Sequence, residues 1–276
     1  MRYISCAEAI PMKGLRLVLS SDGPNIWCEA AKYVLDFRNV PYVAVAKSGM
    51  GDTDENAQLF AWTGQRNSPV AMYEDEKPRF GWLDILYLAE RLGNGPSLLP
   101  ETREAQVECI GLSHQLCGED GLGWNRRLNM FKMMLDAAGG DPVKTGLPPR
   151  LFKDYTINTQ TAGAGTDRLL AILKMLDDRV KRQKAAGSRY LVGDRLTATD
   201  LHFAAIFGMV DPLPHAVNPM PAGLRALYES GEPHVRAAVT DELRAHRDYI
   251  YKTYLKLPMD FYDDDRAIVP HPVMAG

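Results

Sequence analysis

The sequence predicts an α/β domain followed by an all-α domain, and three observations carry that expectation. Short β-rich runs alternate with helical segments up to about residue 95. Strand signals then nearly vanish after the linker Gly93 to Pro100 (GNGPSLLP). Beyond it, apolar residues recur at helical spacing. Residues 1–95 are therefore expected to form the α/β domain with a short N-terminal extension, and residues 101–276 the all-α domain.

The elements follow in order. Leu15 to Ser20 (LRLVLS) and Pro41 to Ala46 (PYVAVA) are β-rich, and Asn25 to Phe37 between them has helical character, which makes a βαβ unit. A second helix is expected over Asn56 to Trp62. It is followed by a strand at Pro69 to Tyr73 (PVAMY), a charged turn at Glu74 to Lys77, and a helix from about Gly81 to Leu92. There is room for only a short fourth strand around Arg79. In the second half, Leu169, Leu173, Leu176 and Val180 lie at i, i+4, i+7 and i+11 with charges between them, the signature of an amphipathic helix packed on a neighbour. Similar patterns cover Glu104 to Cys117, Leu128 to Ala138, Leu201 to Met209, Leu224 to Tyr228 and Pro233 to Leu255. Gly139 to Pro149 is expected to be a loop, and the acidic run Asp263 to Asp265 a solvated part of the tail.

Composition narrows the function. The chain of 276 residues has 46% hydrophobic and 24% charged residues, enough apolar material for a sizeable core. With 32 basic against 35 acidic residues the net charge is −3, so no positive excess is available for a phosphate backbone or an anionic membrane surface. The longest apolar runs, Leu15 to Leu19 and Phe203 to Val210, fall far short of the roughly 20 residues of a bilayer span. Met1 to Leu15 lacks the apolar core of a secretory signal, and a cytoplasmic location is the expectation. Cys6, Cys28, Cys109 and Cys117 form no CxxC pair and are expected to be reduced thiols. His114 and Cys117 have half of a metal-site spacing with no second half, so no metal is expected.

Three places rise above this background. The turn Ser20-Ser21-Asp22-Gly23-Pro24-Asn25 leads into a helix, whose N-terminal N–H groups and dipole favour a thiolate or carboxylate. The plainer alternative makes Asn25 an N-cap and the two serines a strand end. At Asn67-Ser68-Pro69-Val70 a proline opens a strand after a turn, which makes the Ser68-Pro69 bond a candidate for the cis isomer, with trans as the ordinary alternative. Thr197 with Asp200 three residues later forms a capping-box arrangement, a structural device.

The element order together with the segments LRLVLSS, NSPVAMYEDE, WLDILYLAERL and YLVGDRLTATDLHFAAI resembles the glutathione transferase superfamily from about Gly14 to Leu255. The resemblance is strongest at Tyr190 to Asp194 followed by Thr197 to Asp200, which is similar to the family's buried helix with its N-terminal box. It implies a thioredoxin-like N-terminal domain, an α-helical C-terminal domain, a dimer, and glutathione as cosubstrate in a cleft between the domains. Ser68 and Pro69 match the family's cis-proline turn, whose preceding backbone pairs with the cysteinyl part of glutathione. Asn67 stands where the family often has Lys or Gln near the glycyl end. The turn from Ser20 to Asn25 matches the loop that carries the activating residue. Counting back from Val40-Pro41-Tyr42, that position falls at Asn25.

Two departures shape the expected chemistry. An asparagine is neither nucleophile nor general base, but its amide can hydrogen-bond a thiolate and lower its pKa, so Asn25, with Ser20 and Ser21, would act electrostatically. At Phe80-Gly81 the family has an acidic residue followed by Ser to grip the γ-glutamyl group; Gly81 offers only a backbone N–H, and the missing charge would fall to Glu74, Asp75 or a partner subunit. Asn25 and Cys28 spell N-x-x-C where a redox relative has C-x-x-C, and Cys28 is expected to be a buried, inert thiol. For the electrophile, Trp124, Arg127, Met130, Phe131 and Met134 form a segment that reads as pocket lining or as core.

The leading expectation is an enzyme that conjugates or transfers glutathione to an apolar electrophile. The alternatives are a non-catalytic binding or scaffold protein of the same fold, and a glutathione-dependent disulfide reductase or peroxidase.

Overall fold

A computed structural model describes residues 1–48, 53–155 and 159–261, so the acidic run 263–265 lies outside the described residues. Its contacts cluster into two units. One comprises Met1–Ser97 with Pro214–Pro221 and the described residues from Lys256 onward, and the other Leu98–Leu213 with Ala222–Leu255.

The first unit runs α1 (Cys6–Ala9), β1 (Leu15–Ser20), α2 (Ile26–Phe37), β2 (Val43–Lys47), α3 (Asp54–Thr63), β3 (Val70–Tyr73) and α4 (Trp82–Leu92). Among the described residues the strands form a sheet of order β2-β1-β3. Strand β1 pairs parallel with β2, Val18 opposite Val45, and antiparallel with β3, Leu17 opposite Ala71. A strand covered on both faces carries continuous apolar residues, and Leu15, Leu17, Val18 and Leu19 are all buried. The expected fourth strand shrinks to a single antiparallel bridge between Ala71 and Arg79, with Pro78 lacking an N–H before it and α4 starting at Trp82 soon after it.

The N-terminal extension is part of this unit. Ile4 bridges Val45 on the outer side of β2, with Ile4 N donating to Ala44 O at 3.1 Å and Ala46 N to Ile4 O at 2.9 Å. Helix α1, closed by a Ser5/Glu8 capping box, then drops Cys6 and Ala9 into a core with Val18, Val45, Leu59, Val70 and Met72. The extension thereby covers a sheet edge that would otherwise present unpaired backbone groups.

The second unit contains α5 (Arg103–Cys117), α6 (Leu122–Ala137), α7 (Pro149–Asp154), α8 (Thr159–Ala185), α9 (Ala198–Phe207), α10 (Ala222–Glu229), α11 (Pro233–Ala237) and α12 (Asp241–Tyr254). Helix α9 is its centre, with all ten residues buried, and α5 and α12 pack against it. Three expectations are corrected here. The segment 139–149 is not all loop, since Asp141 caps a 3₁₀ turn at Pro142–Thr145 and α7 begins at Pro149. Helix α6 starts at Leu122, six residues before the expected start. The single helix expected over 233–255 is broken after Ala237. There Thr240 accepts from Leu243 N at 3.3 Å and starts α12 afresh, with Asp241 and Glu242 in the favourable first turn.

Arg126 on α6 ties the unit together. Its guanidinium donates to Met209 O at 3.0 Å, Tyr228 O at 3.2 Å, Asn129 Oδ1 at 2.9 Å and also to Ser230 O. Burial lowers its pKa to about 10. A lysine has one ammonium and cannot span carbonyls on separate segments, so Arg126→Lys is expected to cost about 2 kcal/mol. A urea-unfolding midpoint unchanged from the parent would refute that role.

Candidate functional site

The turn between β1 and α2 is built by its own side chains. Asn25 Oδ1 accepts from Trp27 N at 3.1 Å and Cys28 N at 3.4 Å, so Asn25 is the N-cap of α2. Its oxygen is committed to the helix, and any contact to a thiolate falls to its amide nitrogen. Ser21 is buried, with its N–H on Lys47 O at 3.0 Å and its hydroxyl 3.5 Å from Asp22 Oδ1. Ser20 is half-buried, and its backbone N–H donates to Cys28 Sγ at 3.4 Å.

Cys28 is fully buried, and its thiol donates to Ser68 Oγ at 3.3 Å. Burial pushes that thiol up to about 11, against the opposing effect of its contact with Ser68 Oγ and of the Ser20 N–H, which leaves it protonated at neutral pH. The contact brings Ser68 beside the start of α2 although forty residues separate the two. Ser68-Pro69 is cis, with Pro69 buried at the head of β3 and Asn67 exposed. Gly81 is the N-cap of α4 without a side-chain hydrogen bond, and a Cβ there would meet Asp84 Oδ2 at 3.3 Å. An exposed carboxylate thus stands beside Gly81. Nearby carboxylates of the charged turn are engaged: Glu74 accepts from Gly14 N at 3.1 Å, and Asp75 pairs with Lys13 at 2.5 Å.

From sequence the N-terminal extension could reach the site through Tyr3 or Cys6 or simply pack on the surface, and it is Tyr3 that comes to the turn. The Tyr3 hydroxyl donates to Phe261 O at 3.0 Å and reaches Ser20 O at 3.4 Å. No local pattern announces a contact to a residue 258 positions away.

Residues 149–234 match the family model for the glutathione S-transferase C-terminal domain. Solved structures with the same architecture include a glutathione S-transferase from Xanthobacter autotrophicus Py2, at 16% identity and TM-score 0.55, covering 88% of this chain and 96% of that one. A glutathione transferase family member from Pseudomonas fluorescens Pf-5 with two glutathione bound is similar at 17% identity and TM-score 0.57, covering 90% and 93%. A glutathione S-transferase from Methylobacillus flagellatus KT with glutathione bound has TM-score 0.59 at 10% identity, covering 87% and 95%. This chain has the glutathione transferase fold. No curated protein sequence matches it significantly.

In the helical unit of this transferase fold, the segment of α6 singled out for the electrophile divides in two. Met130 and Phe131 are buried, and Phe131 packs with Leu147 and Leu151, so these two belong to the core. Trp124, Arg127 and Met134 are half-buried. Tyr155 gathers them: its ring lies 4.5 Å from that of Trp124 and 5.4 Å, edge-on, from that of Phe131, and its hydroxyl accepts from Arg127 Nη1 at 2.8 Å. Tyr155 was missed because it follows the segment expected to be loop and carries no periodic signal. Among the described residues no helix is long and apolar enough to cross a membrane.

Proposed function

We propose that the protein binds glutathione in its first unit and directs the thiolate at an apolar electrophile, without a covalent protein nucleophile. The observation that carries this reading is the approach of Ser68 to Cys28 at 3.3 Å, which sets residues 67–69 beside the start of α2. A tripeptide paired with the Ser68 backbone, held at its glycyl end by Asn67, then has its sulfur at a helix N-terminus. There the dipole and the Asn25 amide, with the Ser20–Ser21 turn around it, favour the thiolate. Gly81 offers its backbone N–H to the γ-glutamyl carboxylate, and Asp84 is the acid beside it for the ammonium group. Cys28 stays a buried thiol and takes no part. A homodimer in the cytoplasm completes the reading, and exposed Phe60, Phe80 and Tyr87 are apolar side chains open to a dimer contact.

Asn25→Asp tests the electrostatic role, because aspartate still caps α2 but brings a charge that opposes a thiolate. The variant is expected to keep its stability while the pH profile of conjugation moves up and turnover at neutral pH falls about tenfold or more. Cys28→Ala is expected to retain turnover. Loss of activity in Cys28→Ala with activity kept in Asn25→Asp would overturn the assignment. The absence of an acid at position 80 favours one second reading, a binding protein of the same fold without turnover, and calorimetry with glutathione followed by a conjugation assay separates the two.

A further inference from the structure

Away from that site, the helical unit gathers three phenols. Tyr190 follows α8, and Tyr249 and Tyr254 lie on α12. The Tyr190 hydroxyl is 3.2 Å from that of Tyr249 and 2.5 Å from that of Tyr254. The Arg189 guanidinium stands over the Tyr249 ring, 5.2 Å from its centre. The segment that delivers Arg189 and Tyr190 is firmly held: Tyr190 N donates to Ser188 Oγ at 3.1 Å, Tyr190 O accepts from Gln183 at 2.8 Å, and Leu191 N donates to Asp200 at 2.8 Å. All three tyrosines are half-buried, with part of each side chain open to solvent.

Phenols in such a chain do not share charge equally. Tyr190 lies within hydrogen-bond distance of both other phenols, and when one of them ionises the Tyr190 hydroxyl is placed to donate to it. Tyr254 lies within the field of the buried Asp200 carboxylate, which opposes a negative charge there. Tyr249 has neighbouring phenols and a guanidinium, all of which stabilise an oxyanion. Asp248 beside it is already paired with Arg247 at 2.8 Å. The directions agree with the geometry: the Tyr190 hydrogen bond, then those of Tyr254 and Arg189, hold Tyr249 below the usual phenol range, while burial raises Tyr190 and Tyr254.

We propose that Tyr249 is a reactive phenol, a covalent modification site for small electrophiles that deliver an acyl or sulfonyl group. With an arylsulfonyl fluoride the Tyr249 oxygen attacks sulfur. The S–O bond forms, the S–F bond breaks with its electron pair leaving as fluoride, the phenol proton goes to solvent, and nothing is oxidised or reduced. This site is independent of the glutathione reading.

The test is labelling of the full chain with an arylsulfonyl fluoride at about pH 8, followed by peptide mass spectrometry, with exposed Tyr87 on α4 as internal reference. Tyr249 is expected to label severalfold faster than Tyr87, since a phenol held below its usual range carries more phenolate at that pH. Tyr190→Phe and Arg189→Gln are expected to slow Tyr249 severalfold and leave Tyr87 unchanged. Labelling of Tyr249 no faster than Tyr87 would overturn the proposal. The same holds for rates at Tyr249 that neither substitution alters. The ratio in the unsubstituted chain decides the question even if Tyr190→Phe fails to fold.

Discussion

Asp200→Ala is expected to destabilise the protein by about 3 to 5 kcal/mol, because it strands several buried donors at once. The Asp200 carboxylate is fully buried at the start of α9 and accepts from Leu191 N at 2.8 Å, Thr197 N at 2.9 Å and Thr197 Oγ1 at 3.0 Å. His246 Nε2 on α12 lies 3.3 Å from its other side. Each stranded backbone N–H costs about 1 to 3 kcal/mol in a site closed to water, and the helix they anchor is the centre of its unit. Asp200→Asn keeps the shape and one acceptor but turns an NH2 toward donors, so about half of the loss is expected to remain. The urea-unfolding midpoint measures both. A shift for Asp200→Ala no larger than that of an ordinary exposed N-cap, about 1 kcal/mol, would show that α9 does not depend on this carboxylate.

The second large effect is a loss of stability in acid. His202, also on α9, is fully enclosed, and burial lowers its pKa to about 3, whereas the unfolded chain titrates it at about 6.5. Between those values the unfolded state binds one proton more than the folded state. Stability due to this group is therefore present above about pH 6.5 and falls as the pH drops, by up to about 1.4 kcal/mol per pH unit, until about pH 3. Asp177, whose pKa is lowered by Lys181 and Thr240 against the opposing effect of burial, adds a loss of the same sign at lower pH. Denaturant unfolding from pH 7 to pH 4 is the measurement, with His202→Gln as comparison. The slope is expected to be shallower in His202→Gln, and equal slopes in the two proteins would remove His202 from the account.

Much of the local structure could be read from the chain alone. The expected β1 coincides with the observed strand, and α2 and α4 start within one residue of their expected places, because Asn25 and Gly81 carry capping and turn signals that act over a few residues. The amphipathic repeat from Leu169 to Val180 lies inside α8 for the same reason. Helix α1 escaped notice because four residues hold too few periodic positions to register, even with a capping box in front. The break between α11 and α12 was hidden because Thr240 sits within a continuous helical pattern, and its hydroxyl donates to Asp177, 63 positions earlier, at 2.6 Å.

The candidate site divides along the same line. Asn25, Ser68, Pro69 and Gly81 were picked out by turn and strand signals and by resemblance. Cys28, in the first turn of α2 beside Ile26 and Trp27, is expected to be a buried thiol, and its thiol is enclosed. What only the folded molecule decided is which of these residues meet. Ser68 faces Cys28, Tyr3 reaches Ser20, residues 214–221 join the first unit, and Tyr190 finds Tyr249 and Tyr254. Propensity, caps and turns depend on neighbours a few positions away, so the chain specifies them by itself. A hydrogen bond across forty or more positions exists only once hydrophobic burial has chosen which faces pack together, and that choice is made by the whole core at once.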